Sequence, residues 1–303
     1  MESVLVTGAT GFIGKAFIER LLREGFRVHA LTRDPLIAGK RLPVGVEILA
    51  WDPSKDQTLV VPDDVSAVVH LAGESLAHWP WSQTRKKKLW KSRVEFTQLL
   101  VEALGRMKQK PSVLISASGM GYYGNAGERQ VRIGDPPGKD FLGQLAAAWE
   151  GEALKAQNFG TRVVLPRFGM VLGTDGGAFP KMALPFRFGL GAVLGTGKQY
   201  WNWIHLEDAV ELLFQAMKDE RFRGPLHAVA GPPLTQKEFS RILAEKLHRP
   251  LWFRVPIPCL RLALGEMADL FLHGQKAERS AEFFLPSISS LEKALERTST
   301  LQL

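Results

Sequence analysis

The chain has 303 residues, and its 39 Lys and Arg against 31 Asp and Glu give a net charge of +8 at neutral pH. Apolar residues make up 45% and charged residues 23%, which is globular usage and excludes a disordered, collagen-like or low-complexity chain. Cys259 is the only cysteine, so an internal disulfide bond and a cysteine-based metal cluster are excluded as well.

The sequence lacks membrane-spanning, secretory and nucleic-acid-binding signals, and this indicates the compartment and the partners to expect. Uncharged apolar runs such as residues 68–73 are too short to cross a bilayer, and the chain enters a strand pattern at residue 4 without a secretory signal. Zinc-finger spacing and an aromatic-basic RNA signature are also missing. We therefore expect a cytoplasmic protein that binds a small-molecule substrate, with no nucleic acid, membrane or metal as partner.

The first half of the chain alternates short apolar runs with longer amphipathic segments. The predicted strands are continuously apolar, as strands buried on both faces should be, and cover residues 4–7, 26–32, 46–50, 67–72, 113–116 and 162–166. Helices are predicted between them at 12–24, 84–108 and 141–156. This alternation implies right-handed crossovers, so we predict an α/β fold with a Rossmann-type, doubly wound parallel sheet.

The glycine-rich turn after the first strand carries the strongest chemical signal. Residues 8–14 read Gly-Ala-Thr-Gly-Phe-Ile-Gly and lie between the predicted strand and helix. Gly8 permits the tight turn, Gly11 lets backbone amides approach a pyrophosphate, and Gly14 lets the helix pack closely on the strand. Together with the positive helix N-terminus, this context favours dinucleotide binding over a chance glycine turn.

The end of the second strand selects between dinucleotides. An Asp or Glu there would bind the ribose 2′-hydroxyl of NAD, whereas this chain has Thr32 and Arg33. Arg33 offers a forked cation to a 2′-phosphate, so we favour NADP(H), although Asp34 follows directly and leaves NAD open. Asp52, after the third strand, is expected either to meet the adenine amino group or to serve as a turn carboxylate.

A basic cluster opens the long helix predicted at 84–108. It comprises Arg85, Lys86, Lys87 and Lys88, and helical spacing places Arg85 and Lys88 on one side. This side is either a solvated helix face or a source of attraction for phosphates.

The second half is less regular. Residues 173–197 are rich in glycine and proline and are expected to wrap a site instead of joining the sheet; their Lys181 and Arg187 would bind an acidic substrate or lie exposed. Helices are predicted at 204–218, 235–247 and 260–272. We predict a Rossmann domain over 1–230, with 174–203 contributing to a second lobe, and a small α+β substrate domain over 231–303.

The motifs resemble the extended short-chain dehydrogenase/reductase superfamily, whose loop has the same glycine spacing. More narrowly, the chain resembles its atypical "epimerase family" branch, whose bacterial members are often called cell-division-inhibitor-like. The segments that carry this likeness are residues 70–74 (HLAGE), 91–93 (KSR), 116–118 (SAS), 121–124 (GYYG), 149–150 (WE), 167–173 (RFGMVLG), 203–208 (WIHLED) and 265–267 (GEM). The likeness runs from residue 3 to about residue 275.

The resemblance implies a set of cofactor contacts, position by position. They are Thr10, Gly11, Phe12 and Ile13 at the pyrophosphate, Thr32 and Arg33 at the 2′-phosphate, Leu71 and Ala72 beside the adenosine ribose with Gly73 following, and Arg93 and Val171 completing the site.

The usual catalytic pair of the superfamily is missing. Its redox enzymes use Tyr-x-x-x-Lys, in which the lysine lowers the tyrosine pKa so that the phenolate exchanges a proton as hydride moves. None of the three tyrosines here has a lysine four residues later. Aligning Glu150 with the acidic residue that follows the pair in relatives places Leu142 and Ala146 at the tyrosine and lysine positions.

Four side chains are left as candidates for catalysis. Tyr122 and Tyr123 follow a central strand, where ligands bind in open sheets. Without a lysine, their pKa should stay near the ordinary value of about 10, so each would donate a proton as a neutral hydroxyl or pack against the cofactor. Glu74 would face the substrate or stabilise its loop. Ser118 lies one residue before the superfamily's serine position, which Gly119 takes.

Three functions are compatible with this pattern. The first is an NADP(H)-dependent oxidoreductase that acts on an unidentified small molecule without the usual Tyr-x-x-x-Lys pair. The second is a non-catalytic protein that binds NADP(H) and senses redox state. The third is a sugar-nucleotide epimerase, and the missing Tyr-x-x-x-Lys pair weighs most strongly against it.

Overall fold

The computed structural model describes residues 2–279 and 284–298. Its sixteen strands in this part of the chain are β1 (Ser3–Thr7), β2 (Arg27–Thr32), β3 (Val46–Ala50), β4 (Val65–His70), β5 (Val113–Ser116), β6 (Ser118–Gly119), β7 (Gln130–Val131), β8 (Arg162–Phe168), β9 (Met170–Leu172), β10 (Ala192–Leu194), β11 (Tyr200–Trp201), β12 (Trp203–His205), β13 (Gly224–Ala228), β14 (Leu234–Thr235), β15 (Phe253–Val255) and β16 (Lys276–Ala277).

Eleven α-helices connect these strands in the described residues. They are α1 (Phe12–Arg23), α2 (Pro35–Arg41), α3 (Gln83–Trp90), α4 (Phe96–Arg106), α5 (Phe141–Leu154), α6 (Phe179–Arg187), α7 (Leu206–Lys218), α8 (Gln236–Lys246), α9 (Ile257–Leu264), α10 (Asp269–Leu272) and α11 (Leu291–Arg297). Within that same part of the chain, no helix is both long and apolar enough to cross a membrane.

The central sheet is parallel and has the strand order β13-β8-β5-β4-β1-β2-β3, with the short β6 pairing beside β8. The order reverses between β1 and β4, which is the topological switch point where open α/β sheets bind ligands. The predicted Rossmann-type fold is confirmed.

Alternating strand residues face two separate cores. Val4 and Val6 of β1 belong to one core with Phe17 of α1, whereas Leu5 faces the other core with Leu100 of α4. Since both faces are covered by helices, β1 is buried along its whole length. Burial on both faces explains why the sequence of this strand is continuously apolar.

Several predicted boundaries are wrong. The helix predicted from residue 204 begins at Leu206, because Trp203–His205 pairs in parallel with β9 as β12. The helix predicted at 84–108 is interrupted by a π-helical turn over Lys91–Glu95. The helix predicted at 260–272 breaks at Gly265, whose φ of 57° lies in the left-handed region that favours glycine.

The glycine- and proline-rich segment 173–197 contains α6 and β10, so it is more regular than predicted. Strand β10 pairs with β15, and β11 pairs with β14. These pairings attach residues 192–201 to the C-terminal part of the chain beside the carboxyl edge of the sheet. The division into domains at residue 230 stays a prediction.

Candidate functional site

A cleft of about 650 Å³ opens at the carboxyl ends of β1, β4 and β5. The predicted cofactor residues that line it are Gly8, Gly11, Phe12, Ile13, Gly14, Leu71, Gly73, Arg93 and Val171. The predicted catalytic residues that line it are Tyr122, Ser118 and Glu74. Thr10, Thr32, Arg33, Asp52, Ala72 and Tyr123 are outside this lining.

The glycine turn allows only glycine at two of its positions. Gly8 has a φ of 68°, and a Cβ there would lie 2.6 Å from the Leu71 carbonyl carbon. A Cβ at Gly14 would lie 2.3 Å from the Gly8 oxygen. Strand β1, the turn and α1 therefore approach more closely than any side chain permits.

The N-terminus of α1 points its amides into this turn. The Gly11 amide donates to the Gly8 oxygen at 2.9 Å, and no described side chain caps the helix at Gly11. The first turn of α1 holds no acidic residue. Its amides and the helix dipole are thus available to an anion.

Phe12 closes one side of the turn. Its ring lies against three glycines, because a Cβ at Gly173, Gly176 or Gly177 would come within 2.5, 2.9 or 3.2 Å of a Phe12 side-chain atom. The loop after β9 therefore packs directly on the start of α1, which brings Val171 into the cleft lining.

The end of β2 carries an exposed guanidinium. Arg33 Nη2 lies 3.3 Å from Glu74 Oε1, and Arg85 Nη1 lies 3.1 Å from Glu74 Oε2. Asp34, whose carboxylate would favour NAD, instead caps α2 by accepting from the Ile37 amide at 2.9 Å. Arg33 therefore stands where a ribose-binding carboxylate would otherwise stand, and it shares the Glu74 carboxylate with Arg85 of α3.

Glu74 faces these arginines and holds its charge. Burial works against ionisation, but hydrogen bonds from Arg85 and Arg33 outweigh it and lower the pKa of Glu74. A carboxylate with one oxygen on each guanidinium is a poor proton carrier at neutral pH. These contacts fit the alternative of loop structure, and the catalytic role of Glu74 stays a prediction.

Asp52 occupies a tight turn. Its Oδ1 accepts from the Ser54 hydroxyl at 2.7 Å and from the Ser54 amide at 3.0 Å. The hydroxyl bond is the main cause that lowers the pKa of Asp52. These contacts fit the turn alternative, and the adenine contact stays a prediction.

Arg93 places a buried cation in the cleft wall. It lies in the π-helical turn, donates to the Glu74 backbone oxygen at 3.0 Å, and sits 5.3 Å above the Trp149 ring. A Cβ at Gly73 would lie 3.1 Å from its Cζ. Burial lowers the pKa of Arg93 to about 10, and Arg93 makes no ion pair within residues 2–279 and 284–298. An anionic ligand would supply the missing counter-charge.

A chain of hydrogen bonds fixes the strand ends behind the turn. The Thr7 hydroxyl accepts from the Ala72 amide at 3.2 Å and bonds His70 Nδ1 at 2.6 Å, while His70 Nε2 bonds the Thr97 hydroxyl at 2.8 Å. Because the Thr97 hydroxyl donates to the Arg93 carbonyl, every partner is satisfied when His70 is neutral with its proton on Nε2.

Lowering the pH is expected to destabilise the protein through His70. Burial, with a smaller contribution from Arg93, lowers the pKa of His70 from 6.5 to about 3. Between pH 6.5 and about 3 the unfolded chain therefore binds the extra proton, so each pH unit in this window lowers the free energy of unfolding by about 1.4 kcal/mol. Above pH 6.5 the contribution is complete. Urea titrations should show a shallower pH dependence for His70→Gln than for the wild type; parallel curves would contradict this.

A second buried network supports the floor of the cleft. Arg167 Nε and Nη2 grip Glu150 at 2.8 and 2.7 Å, and Ser118 donates to Glu150 at 2.6 Å. Arg167 Nη1 donates to the Tyr123 hydroxyl at 2.6 Å, which bonds His227 Nε2 at 2.6 Å. Residues that the sequence shows only as separate motifs thus form one ionic cluster.

Tyr123 belongs to this network and not to the cleft lining. Burial raises the pKa of Tyr123 to about 12, and the Arg167 guanidinium offsets only part of that rise. The expectation of an ordinary tyrosine pKa is therefore wrong for Tyr123. A hydroxyl fixed between Arg167 and His227 does not suit proton transfer in the cleft, which leaves Tyr122 as the better of the two candidates.

Tyr122 lines the cleft, with its ring centroid 3.4 Å from the Arg167 Cζ. Its hydroxyl makes no hydrogen bond to any described residue. Leu142 and Ala146, which the alignment places at the positions of the usual pair, line the same cleft from α5. The wall that would hold a catalytic lysine is apolar.

The sequence did not predict the contacts of two residues, Arg85 beside the cleft and His273 in its lining. Arg85 was grouped with a basic helix face, although it is largely buried against Glu74. His273 bonds Asp140 at 3.1 Å and Asp269 at 3.3 Å, which ties the C-terminal segment to the start of α5. The sequence signal that could have indicated Asp140 is its place directly before an apolar helix, since an Asp there is a typical N-cap.

Comparisons with known proteins identify the family of the chain. A model of the NAD dependent epimerase/dehydratase family matches residues 4–230. The SDR39U1 homolog, a chloroplastic epimerase family protein of Arabidopsis thaliana, is 37% identical over 278 residues, covering 90% of this chain and 79% of that protein. An epimerase family protein of Mycobacterium leprae is 38% identical over 276 residues, covering 90% and 87%.

A solved structure is similar over the whole chain. The crystal structure of human epimerase family protein SDR39U1 (isoform 2) with NADPH has a TM-score of 0.87 and 31% sequence identity, and the match covers 99% of this chain and 100% of that one.

Proposed function

Because this chain belongs to the NAD dependent epimerase/dehydratase family, we propose that it is an NADP(H)-dependent oxidoreductase that acts on a small molecule in the cleft. The family resemblance inferred from the motifs is confirmed. One observation carries the proposal: the glycine turn and Tyr122 line the same cleft, so a dinucleotide bound at the turn reaches toward a side chain that can donate a proton.

NADP(H) is the cofactor, as in the human relative solved with NADPH. The residues fit it, since the turn leaves no room for a Cβ at Gly8 or Gly14 and the buried Arg93 cation has no ion pair among the described residues. The turn and the amides of α1 would hold the pyrophosphate, and Arg33 would hold the 2′-phosphate.

The protein contributes orientation and proton handling. When bound, the nicotinamide supplies hydride transfer. Tyr122 is the group that would give a proton to a substrate oxygen, as a neutral hydroxyl held in place by the Arg167 guanidinium against its ring. Leu142 and Ala146 provide an apolar wall that excludes water.

Arg33→Ala is expected to weaken NADPH binding by about 10- to 100-fold, because a charge-assisted bond to the 2′-phosphate is worth about 1.5–3 kcal/mol. NADH lacks that phosphate, so its affinity should change by less than about threefold. Calorimetric titration of both nucleotides measures the difference. Arg23→Ala, on an exposed turn of α1, is the matched control and should change neither. Equal losses for both nucleotides would show that Arg33 does not bind the 2′-phosphate.

Turnover tests the reaction itself. Incubation with NADPH and a library of carbonyl compounds should reveal loss of the reduced-nicotinamide absorbance, and Tyr122→Phe should lower kcat by about 100-fold, since general acid catalysis is typically worth that much or more. NADPH affinity should be retained by this variant. Turnover that Tyr122→Phe leaves intact would contradict the role of Tyr122.

A non-catalytic NADP(H)-binding protein is the second candidate. The apolar Leu142 and Ala146 favour it, because they stand where the superfamily's proton relay would be. Tight NADPH binding without turnover of any library compound would support it. The same two residues weigh against a sugar-nucleotide epimerase, which needs that relay twice in each cycle.

A further inference from the structure

Two segments carry almost the entire net charge of the chain. Residues 176–206 hold three basic residues and residues 246–265 hold four, and neither segment contains an Asp or Glu. The rest of the chain has 32 Lys and Arg against 31 Asp and Glu. Seven of the eight net positive charges therefore lie in these two segments.

The same segments expose large apolar side chains. Of the thirteen such side chains exposed in the described residues, seven lie here: Leu184, Phe188, Leu190, Trp252, Phe253, Ile257 and Leu262. Trp252 is 82% exposed and Leu262 is 92% exposed. This is an unusual concentration for a surface that meets only water.

The two segments lie side by side. Strands β10 and β15 pair in parallel, and the Gly195 amide donates to the Val255 oxygen at 2.9 Å. Arg249 Nε donates to the Arg187 backbone oxygen at 3.0 Å. We call residues 184–190 and 249–262 together the basic apolar surface.

Most cations beside these apolar groups have no acidic partner. Lys181, Arg187 and Arg254 make no ion pair with any residue in 2–279 or 284–298. Arg261 and Lys246 are exceptions, since Arg261 bonds Asp269 at 3.0 Å and Lys246 pairs with Glu296 at 2.9 Å. Lys181 and Arg187 also lie outside the cleft lining, which leaves the acidic-substrate role predicted for them without support.

We propose that the basic apolar surface docks on an anionic lipid membrane. Trp, Phe and Leu side chains insert at the boundary between headgroups and acyl chains, and Lys and Arg attract anionic headgroups. Charge complementarity selects this occupant, because the exposed charges of the surface are of one sign and largely unpaired. The proposal departs from the expectation from the sequence that no membrane is involved, which stays untested, and it does not depend on the proposed function.

Vesicle co-sedimentation of the full chain tests the proposal. The protein should pellet with vesicles of phosphatidylcholine and phosphatidylglycerol, pellet weakly with phosphatidylcholine alone, and be released by high salt. Arg187→Glu combined with Arg254→Glu should reduce binding about tenfold or more, since each basic residue near the surface contributes to the attraction. Trp252→Ser combined with Leu262→Ser should also reduce it.

Matched variants distinguish docking by this surface from a general effect of net charge or of exposed apolar side chains. Lys55→Glu combined with Lys108→Glu makes the same change in net charge elsewhere, and Leu285→Ser removes a side chain that is 72% exposed outside the surface. Both should bind vesicles as the wild type does. Thermal unfolding reports folding of every variant, and the charge variant keeps the test valid if the apolar one fails to fold.

Three results would overturn the proposal. They are no binding of the wild type to anionic vesicles, an equal loss in the matched variants, or a wild-type dimer that the surface variants convert to a monomer. The last would show that the surface joins two copies of the chain.

Discussion

Gly14→Ala is expected to abolish tight NADPH binding, weakening it by about 100-fold. The added Cβ would lie 2.3 Å from the Gly8 oxygen and 3.0 Å from the Gly8 carbonyl carbon, so the turn and α1 must move apart. Overpacking of this kind costs about 1–3 kcal/mol, and the displaced amides lose their aim at the pyrophosphate as well. Calorimetric titration with NADPH measures the loss, and thermal unfolding shows that the variant is still folded.

Gly151→Ala is the matched control for this substitution. Gly151 lies in α5, and a Cβ there would meet nothing within 4 Å. We expect unchanged NADPH affinity and a helix stabilised by up to about 1 kcal/mol. Wild-type affinity in Gly14→Ala would mean that the turn does not hold the cofactor.

Arg167→Met is expected to lower the free energy of unfolding by about 3–5 kcal/mol, because it leaves the Glu150 carboxylate buried without its partner. Arg167 is 2% exposed and Glu150 is 6% exposed, so water cannot replace the lost bonds. The Tyr123 hydroxyl loses a donor and the Tyr122 ring loses its neighbouring cation. Urea denaturation measures the change.

Two companion variants isolate the cause. Arg241→Met breaks the exposed pair with Glu245 and should cost less than about 1 kcal/mol. Arg167→Met combined with Glu150→Leu removes both charges and should recover part of the stability. A loss below about 1 kcal/mol in Arg167→Met alone would refute the ionic cluster as a support of the fold.

The sequence predicts the parts of this molecule that depend on local pattern. Strand β1, the glycine turn and α1 are adjacent in the chain, so backbone sterics and helix polarity define the turn without knowledge of distant residues. The position of Arg33 relative to the glycine turn is likewise predictable, because the end of the second strand has a fixed place in a Rossmann sheet.

Side-chain networks between distant segments are not predictable in this way. Tyr123 has a raised pKa because it is buried, and its hydroxyl bonds Arg167 and His227, which lie 44 and 104 positions away in the sequence. Glu74 is a clear case as well, since its role depends on two arginines from different elements. Burial and partners decide the pKa of such groups, and neither is visible in a local pattern.

The secondary-structure errors have a similar origin. The π-helical turn over Lys91–Glu95 contains no Gly or Pro that would indicate a break in the helix. This turn places Arg93 in the cleft wall. Strand β12 exists because β9 lies beside it, and three residues alone do not specify a strand.

Calorimetric titration of the wild-type protein with NADPH and with NADH tests the central claim most directly. The glycine turn and Arg33 together predict one saturable site at which NADPH binds about tenfold or more tightly than NADH. An absence of measurable affinity for both nucleotides would contradict the account.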